Sequence, residues 1–143
     1  MDIRIEKRDG FTITGYQIET LATDESYDEK SIDLRSKHED ALRVNNAVLY
    51  GATWFTGEGK LYYLYGVAGG NTDGKDSVSM PTGLFAVATV HADMPMISAW
   101  VEMWEEKGLP STGYAYIEAA TCFEFFGENG VREIWVPVTK AAA

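Results

Sequence analysis

Glu124 stands in Thr121-Cys122-Phe123-Glu124-Phe125-Phe126, a run with the composition of a buried strand and no natural place for a bare carboxylate. An ionised carboxylate removed from water is costly unless a cation or strong donors meet it, and the nearest Lys or Arg along the chain is Arg132. Two readings stay open. Glu124 points to water from a half-exposed strand, or it faces a cleft in which a ligand supplies the partner. The second has its own limit, because a carboxylate tied to an internal Lys or Arg is already satisfied. Alternation along the strand puts Cys122, Glu124 and Phe126 on one face and Phe123 and Phe125 on the other.

The other residues that could do chemistry form weaker patterns. Cys122 is the single cysteine, which excludes an internal disulfide and a multi-thiolate metal site within one chain. It could pair with His38 or His91 as a nucleophile, but a small buried hydrophobe in a strand is the favoured reading. The two histidines lie far apart and in no metal-binding spacing, so no metal and no cofactor is expected. Gly69-Gly70-Asn71-Thr72-Asp73-Gly74-Lys75-Asp76 has the spacing of a phosphate-cradling loop. It ends in Asp76 where Ser or Thr should hold magnesium, and no amphipathic helix follows. Asn71, Asp73 and Asp76 also suggest a calcium loop, but the bidentate Glu expected further on is absent, so a polar turn is the better reading.

Those residues have to be positioned by a chain of 143 residues, 45% hydrophobic, which fits a single domain over residues 1–143. With 22 Asp and Glu against 12 Lys and Arg, the formal charge is −10. Such a field repels phosphate backbones and attracts cations, which argues against direct nucleic-acid binding and for small basic molecules; solubility alone also produces acidic proteins. No apolar run is long enough to span a bilayer and the N-terminus has no signal-like apolar stretch, so no membrane partner and a cytoplasmic location are expected.

The pattern of elements repeats. Residues 3–19 read as one strand with a bulge at Gly15, followed by a charged helix near residues 24–40 with Asp24 or Ser26 as its cap. Residues 49–55 and 61–67 then form a hairpin around Thr56-Gly57-Glu58-Gly59-Lys60. After the loop of residues 69–83, residues 84–90 form a strand, and Asp93-Met94-Pro95 starts a second helix near residues 94–107 that ends at Gly108. In that helix Ile97, Trp100, Val101 and Trp104 make one apolar stripe, opposite Glu102, Glu105 and Glu106. Residues 114–126 and 131–138 flank Gly127-Glu128-Asn129-Gly130 as a second hairpin. The fold class expected is α+β: two strand-helix-strand-strand repeats, about residues 1–75 and 76–143, forming a pseudo-two-fold antiparallel sheet with both helices on one face. A cleft would run along the pseudo-axis.

Several of these pieces, in this order, resemble the GyrI-like effector-binding domains. They are Tyr50-Gly51-Ala52-Thr53, Tyr63-Leu64-Tyr65-Gly66-Val67, Phe85-Ala86-Val87, Trp100 to Trp104, Leu109-Pro110-Ser111-Thr112-Gly113-Tyr114, Phe123-Glu124 and Glu133-Ile134-Trp135-Val136-Pro137-Val138. Such domains are the ligand-sensing modules of multidrug-responsive transcription activators and of free-standing relatives, some carried on integron cassettes. The resemblance implies a pocket for amphipathic, often cationic, aromatic compounds, with the Glu of the Phe-Glu motif, here Glu124, as counter-charge at its floor. Where the family commonly has Trp-Leu-Pro after the second helix, this chain has Gly108-Leu109-Pro110. With no helix-turn-helix or coiled coil before Met1, a lone module is expected.

A cationic aromatic guest needs stacking partners, and the chain offers Trp54 and Tyr65 from the first hairpin, Trp100 and Trp104 from the second helix, Phe126 beside Glu124, and Trp135. For Trp100 and Trp104 core packing is the first reading, since any buried helix shows such a stripe. Glu128, in a turn, reads as solvated. Binding is favoured over catalysis, because the residues supply one acid-base candidate and no convincing nucleophile. The alternatives are a hydrolase of cyclopropane-bearing genotoxins, an activity the resemblance also allows, and an acidic module that docks on a protein partner or a second copy.

Overall fold

The computed structural model describes residues 1–69 and 75–141. Eleven elements follow one another: β1 (Ile3–Arg8), β2 (Phe11–Leu21), α1 (Tyr27–Arg43), β3 (Leu49–Phe55), β4 (Lys60–Ala68), β5 (Asp76–Met80), β6 (Gly83–Val90), α2 (Met96–Trp104), β7 (Tyr114–Tyr116), β8 (Cys122–Phe126) and β9 (Arg132–Lys140). The nine strands make one antiparallel sheet in the order β1-β6-β9-β8-β3-β4-β2-β5, with β7 added to β9. Most of the phosphate-loop and calcium-loop motif, residues 70–74, lies outside the described residues.

That strand order has a centre. Exchanging β1 with β5, β2 with β6, β3 with β8 and β4 with β9 turns the list into its own reverse, so the pseudo-two-fold axis runs between β3 and β8. Each half is two strands that do not pair with each other, a helix and a hairpin. The expected unit therefore gains a strand at its start. Residues 3–19 are two strands, not one, because Asp9-Gly10 turns the chain between β1 and β2. Gly15 makes no bulge: β2 pairs in unbroken register with β4 from Ile13↔Ala68 to Leu21↔Lys60. Gly15 lies opposite Gly66, where an added Cβ on either would run into the neighbouring backbone, so the glycines permit a close strand contact.

Two-residue links join β1 to β2 and β5 to β6, which stand toward opposite ends of the strand order, so the sheet must curl. Two cores result. Inside the curl lie Ile13, Leu64, Met80, Phe85, Val87, Phe123 and Trp135, with Phe11 against them. On the other face Leu42 of α1 and Met96, Ala99 and Met103 of α2 pack on Leu49, Tyr63, Tyr65, Ile134 and Val136. Both helices thus cover the same sheet face.

α1 begins directly after Ser26, one of its two expected caps, while α2 begins later than Asp93 suggests. Ser26 holds the N-cap position of α1 but turns its Oγ to donate to Asp24 (2.6 Å), and Asp24 also takes Lys30 (2.8 Å). α2 starts after Pro95 with no side-chain cap and ends at Trp104, short of Gly108. No helix of the described residues is long and apolar enough to cross a membrane.

Candidate ligand-binding site

α2 reads Met-Ile-Ser-Ala-Trp-Val-Glu-Met-Trp and carries apolar residues on more of its circumference than one core contact needs. Its core face is Met96, Ala99 and Met103, not the expected stripe. Ile97, Trp100 and Trp104 form one wall of a cavity of about 330 Å³ that α1 also lines, and Trp100 packs against the core as well, as first read. Tyr27, Asp28 and Ser31 of α1 form the opposite wall, Phe55, Leu61 and Tyr63 of β3 and β4 belong to another side, and Tyr116, Cys122 and Glu124 also line it. Larger grooves of about 480 Å³ exist elsewhere, but one is lined by Glu39, Arg43, Glu128 and Arg132 and offers an apolar guest little.

Glu124 is 4% exposed and lines this cavity from β8. Tyr63 Oη donates to its Oε1 at 2.6 Å and Trp100 Nε1 donates to its Oε2 at 2.8 Å. Register explains the first contact: Glu124 lies opposite Gly51 of β3, whose missing side chain lets the Tyr63 hydroxyl reach across from β4. A Cβ on Gly51 would overlap Tyr63 Oη and come within 2.6 Å of Glu124 Oε1. Interior glycine in a strand is a sign of such close approach, and Gly51 is the signal by which Tyr63 was findable.

The carboxylate also has a cation. Arg35 of α1 holds Nη1 3.8 Å from Glu124 Oε1, and that same nitrogen donates to Tyr63 Oη at 3.1 Å. This engages the limit set above and corrects the picture of an unpartnered floor: the nearest basic residue in space comes from a helix nearly ninety positions away in sequence. Arg35 satisfies Glu124 only in part. Its direct bond goes to the tyrosine, and the carboxylate's own hydrogen bonds come from two neutral donors. Burial raises the Glu124 carboxyl above its usual value in spite of Arg35, Trp100 and Tyr63, with Asp28 adding to the rise. The guanidinium stays firmly charged: burial opposes it, but Tyr63 and Glu124 outweigh burial.

The sequence-predicted aromatic residues divide. Trp100 and Trp104 line the cavity, and Trp104 is 45% exposed with its ring 5.2 Å from Tyr116. Trp54 borders it, but its indole stacks on Tyr62 at 5.4 Å and groups with the core inside the curl. Tyr65 and Phe126 share the helix face of the sheet without lining the cavity; they meet edge to face at 5.8 Å in the core, and Arg35 lies 5.5 Å from Phe126. Burial raises the Tyr65 phenol to about 12.

Trp135 is a correction. It sits inside the curl, stacked on Phe123 at 5.2 Å, on the face opposite the cavity. The cations it meets are internal, Arg4 and Arg8, and Arg8 also lies over Phe11, Tyr50 and Phe123 and donates to Tyr50 Oη at 3.0 Å. Cys122 is buried, and burial pushes its thiol up to about 12, which disfavours a thiolate.

An apolar, aromatic-walled cavity with a buried carboxylate, set between two helices on a pseudo-symmetric sheet, defines a small-molecule-binding domain. Residues 4–138 match the model of the integron-associated effector binding protein family, and the chain belongs to that family. No curated protein matches. Among solved structures, SAV2435 bound to tetraphenylphosphonium is similar with a TM-score of 0.76 at 17% identity, over 97% of this chain and 94% of that one. An integron cassette protein from Vibrio cholerae gives 0.72 at 18% identity, over 96% and 95%. A transcription regulation protein from Staphylococcus aureus gives 0.67 at 15% identity, over 97% and 99%.

Proposed function

We propose that this chain binds amphipathic aromatic cations in the cavity between α1 and α2, with Glu124 as a counter-charge at the floor. The observation that carries the reading is a buried carboxylate, raised in pKa, at the bottom of an otherwise apolar and aromatic cavity. A raised value means that its internal partners do not offset the cost of removing it from water. A second cation placed against it therefore gains free energy that a neutral guest would not. The tetraphenylphosphonium held by SAV2435 has the same chemistry, a delocalised cation wrapped in aromatic rings.

Trp100, Trp104 and Tyr63 would supply ring faces, each cation–π contact contributing about 0.5–2 kcal/mol. Trp54 would contribute at the edge only, and Tyr65, Phe126 and Trp135 would act through the cores. Catalysis is less well served. Both carboxylate oxygens are engaged by donors, and the thiol that lines the cavity is held protonated.

The test is Glu124→Gln titrated with tetraphenylphosphonium and with neutral triphenylphosphine oxide. The variant should lose roughly ten- to a hundredfold in phosphonium affinity, about 1.5–3 kcal/mol, while the phosphine oxide changes by less than about twofold. Circular dichroism should show a folded variant. Equal losses for both compounds, or none, would remove Glu124 from recognition.

A further inference from the structure

Asp28 stands in the first turn of α1 and lines the same cavity as Glu124. Acidic residues are common in a first helical turn because they face the positive end of the helix dipole, and its neighbour Glu29 meets that description equally well. The two differ in placement. Asp28 borders the cavity and Glu29 does not.

They differ from Glu124 as well. Among the described residues Asp28 has no Lys, Arg or His within ion-pair distance, while Glu124 has Arg35 at 3.8 Å. Charge around the cavity therefore adds up unevenly. Arg35 offsets Glu124 in part, and Asp28 borders the same space, walled by Ile97, Trp100 and Trp104, with no cation of its own among the described residues. A guest cation seated between α1 and α2 meets the floor from one side and Asp28 from the other.

We propose that Asp28 is a second specificity-determining residue, adding to Glu124 in the cavity's preference for cationic over neutral aromatic guests. The inference rests on the ligand-binding reading above. It predicts a preference for lipophilic cations whose charge lies near the middle of the molecule, within reach of both carboxylates, such as phosphonium or quaternary ammonium centres. It also predicts that part of the discrimination depends on salt, because Asp28 is partly open to water where Glu124 is not.

Asp28→Asn and Glu29→Gln remove the same formal charge from the same turn of helix, so Glu29→Gln controls for the overall field and for the dipole. Both variants and the unaltered protein would be titrated with tetraphenylphosphonium and triphenylphosphine oxide at low and high salt, with thermal melts to show that each is folded. Asp28→Asn should lose about three- to tenfold in phosphonium affinity and flatten its salt dependence, as expected for one partly screened charge contact. Glu29→Gln should stay within about twofold, and neither should alter phosphine oxide binding. Equal losses in the two variants, or an unchanged Asp28→Asn, would overturn the proposal while leaving the cavity a cation site. No phosphonium binding to the unaltered protein would overturn the ligand-binding reading and this proposal with it.

Discussion

Glu124 combines three conditions that rarely coexist: near-complete burial, two good neutral donors and a guanidinium held just outside hydrogen-bond range. Their balance has a measurable sign. Because burial raises its pKa in the folded state, the folded protein binds more protons than the unfolded chain between the usual carboxyl value and the raised one. Stability contributed by this group is full below the unfolded value and is lost as pH rises through the folded one. Thermal melts from about pH 4 upward should therefore show the unaltered protein losing stability relative to Glu124→Gln. A difference that grows in the opposite direction would mean that Arg35 outweighs burial. Phosphonium affinity should move the other way, rising across the same window as the carboxylate ionises.

At the scale of elements, α2 is the informative one because its two apolar faces have different duties. Met103 is fully buried against the sheet, whereas Trp104 on the neighbouring face is half exposed over the cavity. Met103→Ala should cost about 2–5 kcal/mol in denaturant unfolding. Trp104→Ala should cost about 1 kcal/mol or less and mainly weaken phosphonium binding. A large stability loss at Trp104 would mean that its face is core after all.

The same helix shows what a sequence discloses. Helical periodicity revealed an apolar stripe, but Ile97, Trp100, Val101 and Trp104 are spaced alike whether they meet a sheet or a vacant space. The decisive competitor, the Met96-Ala99-Met103 seam, was masked by less conspicuous side chains. Strand alternation in β8 sorted Cys122, Glu124 and Phe126 correctly because period two depends only on local backbone. Arg35 and Trp135 were beyond such reasoning. One reaches Glu124 through a helix-to-sheet contact and the other meets Arg8 through the curl, and neither relation has a local period.

Across the whole molecule, the curl and the mirrored strand order bring the middle of the sheet under both helices, where the proposed guest would touch both halves. Gly51 and Glu124 pair across that centre. Gly51→Ala should thus act on both stability and recognition: its methyl must displace the Tyr63 hydroxyl or part β3 from β8, at about 1–3 kcal/mol. Unfolding and phosphonium titration of this variant would show the two losses together, and an unaffected protein would mean that the centre is softer than its contacts imply.

The pairing of Gly51 with Glu124 also bears on how such a molecule could arise. They lie on β3 and β8, the two strands that exchange under the pseudo-two-fold. If both halves descend from one ancestral segment that once assembled with its own copy, the two strands at this centre would have been identical. An acid on that strand would have come in two copies and brought two buried like charges beneath one pair of helices. A single acid at the centre is open only to a fused chain, in which the two strands can differ.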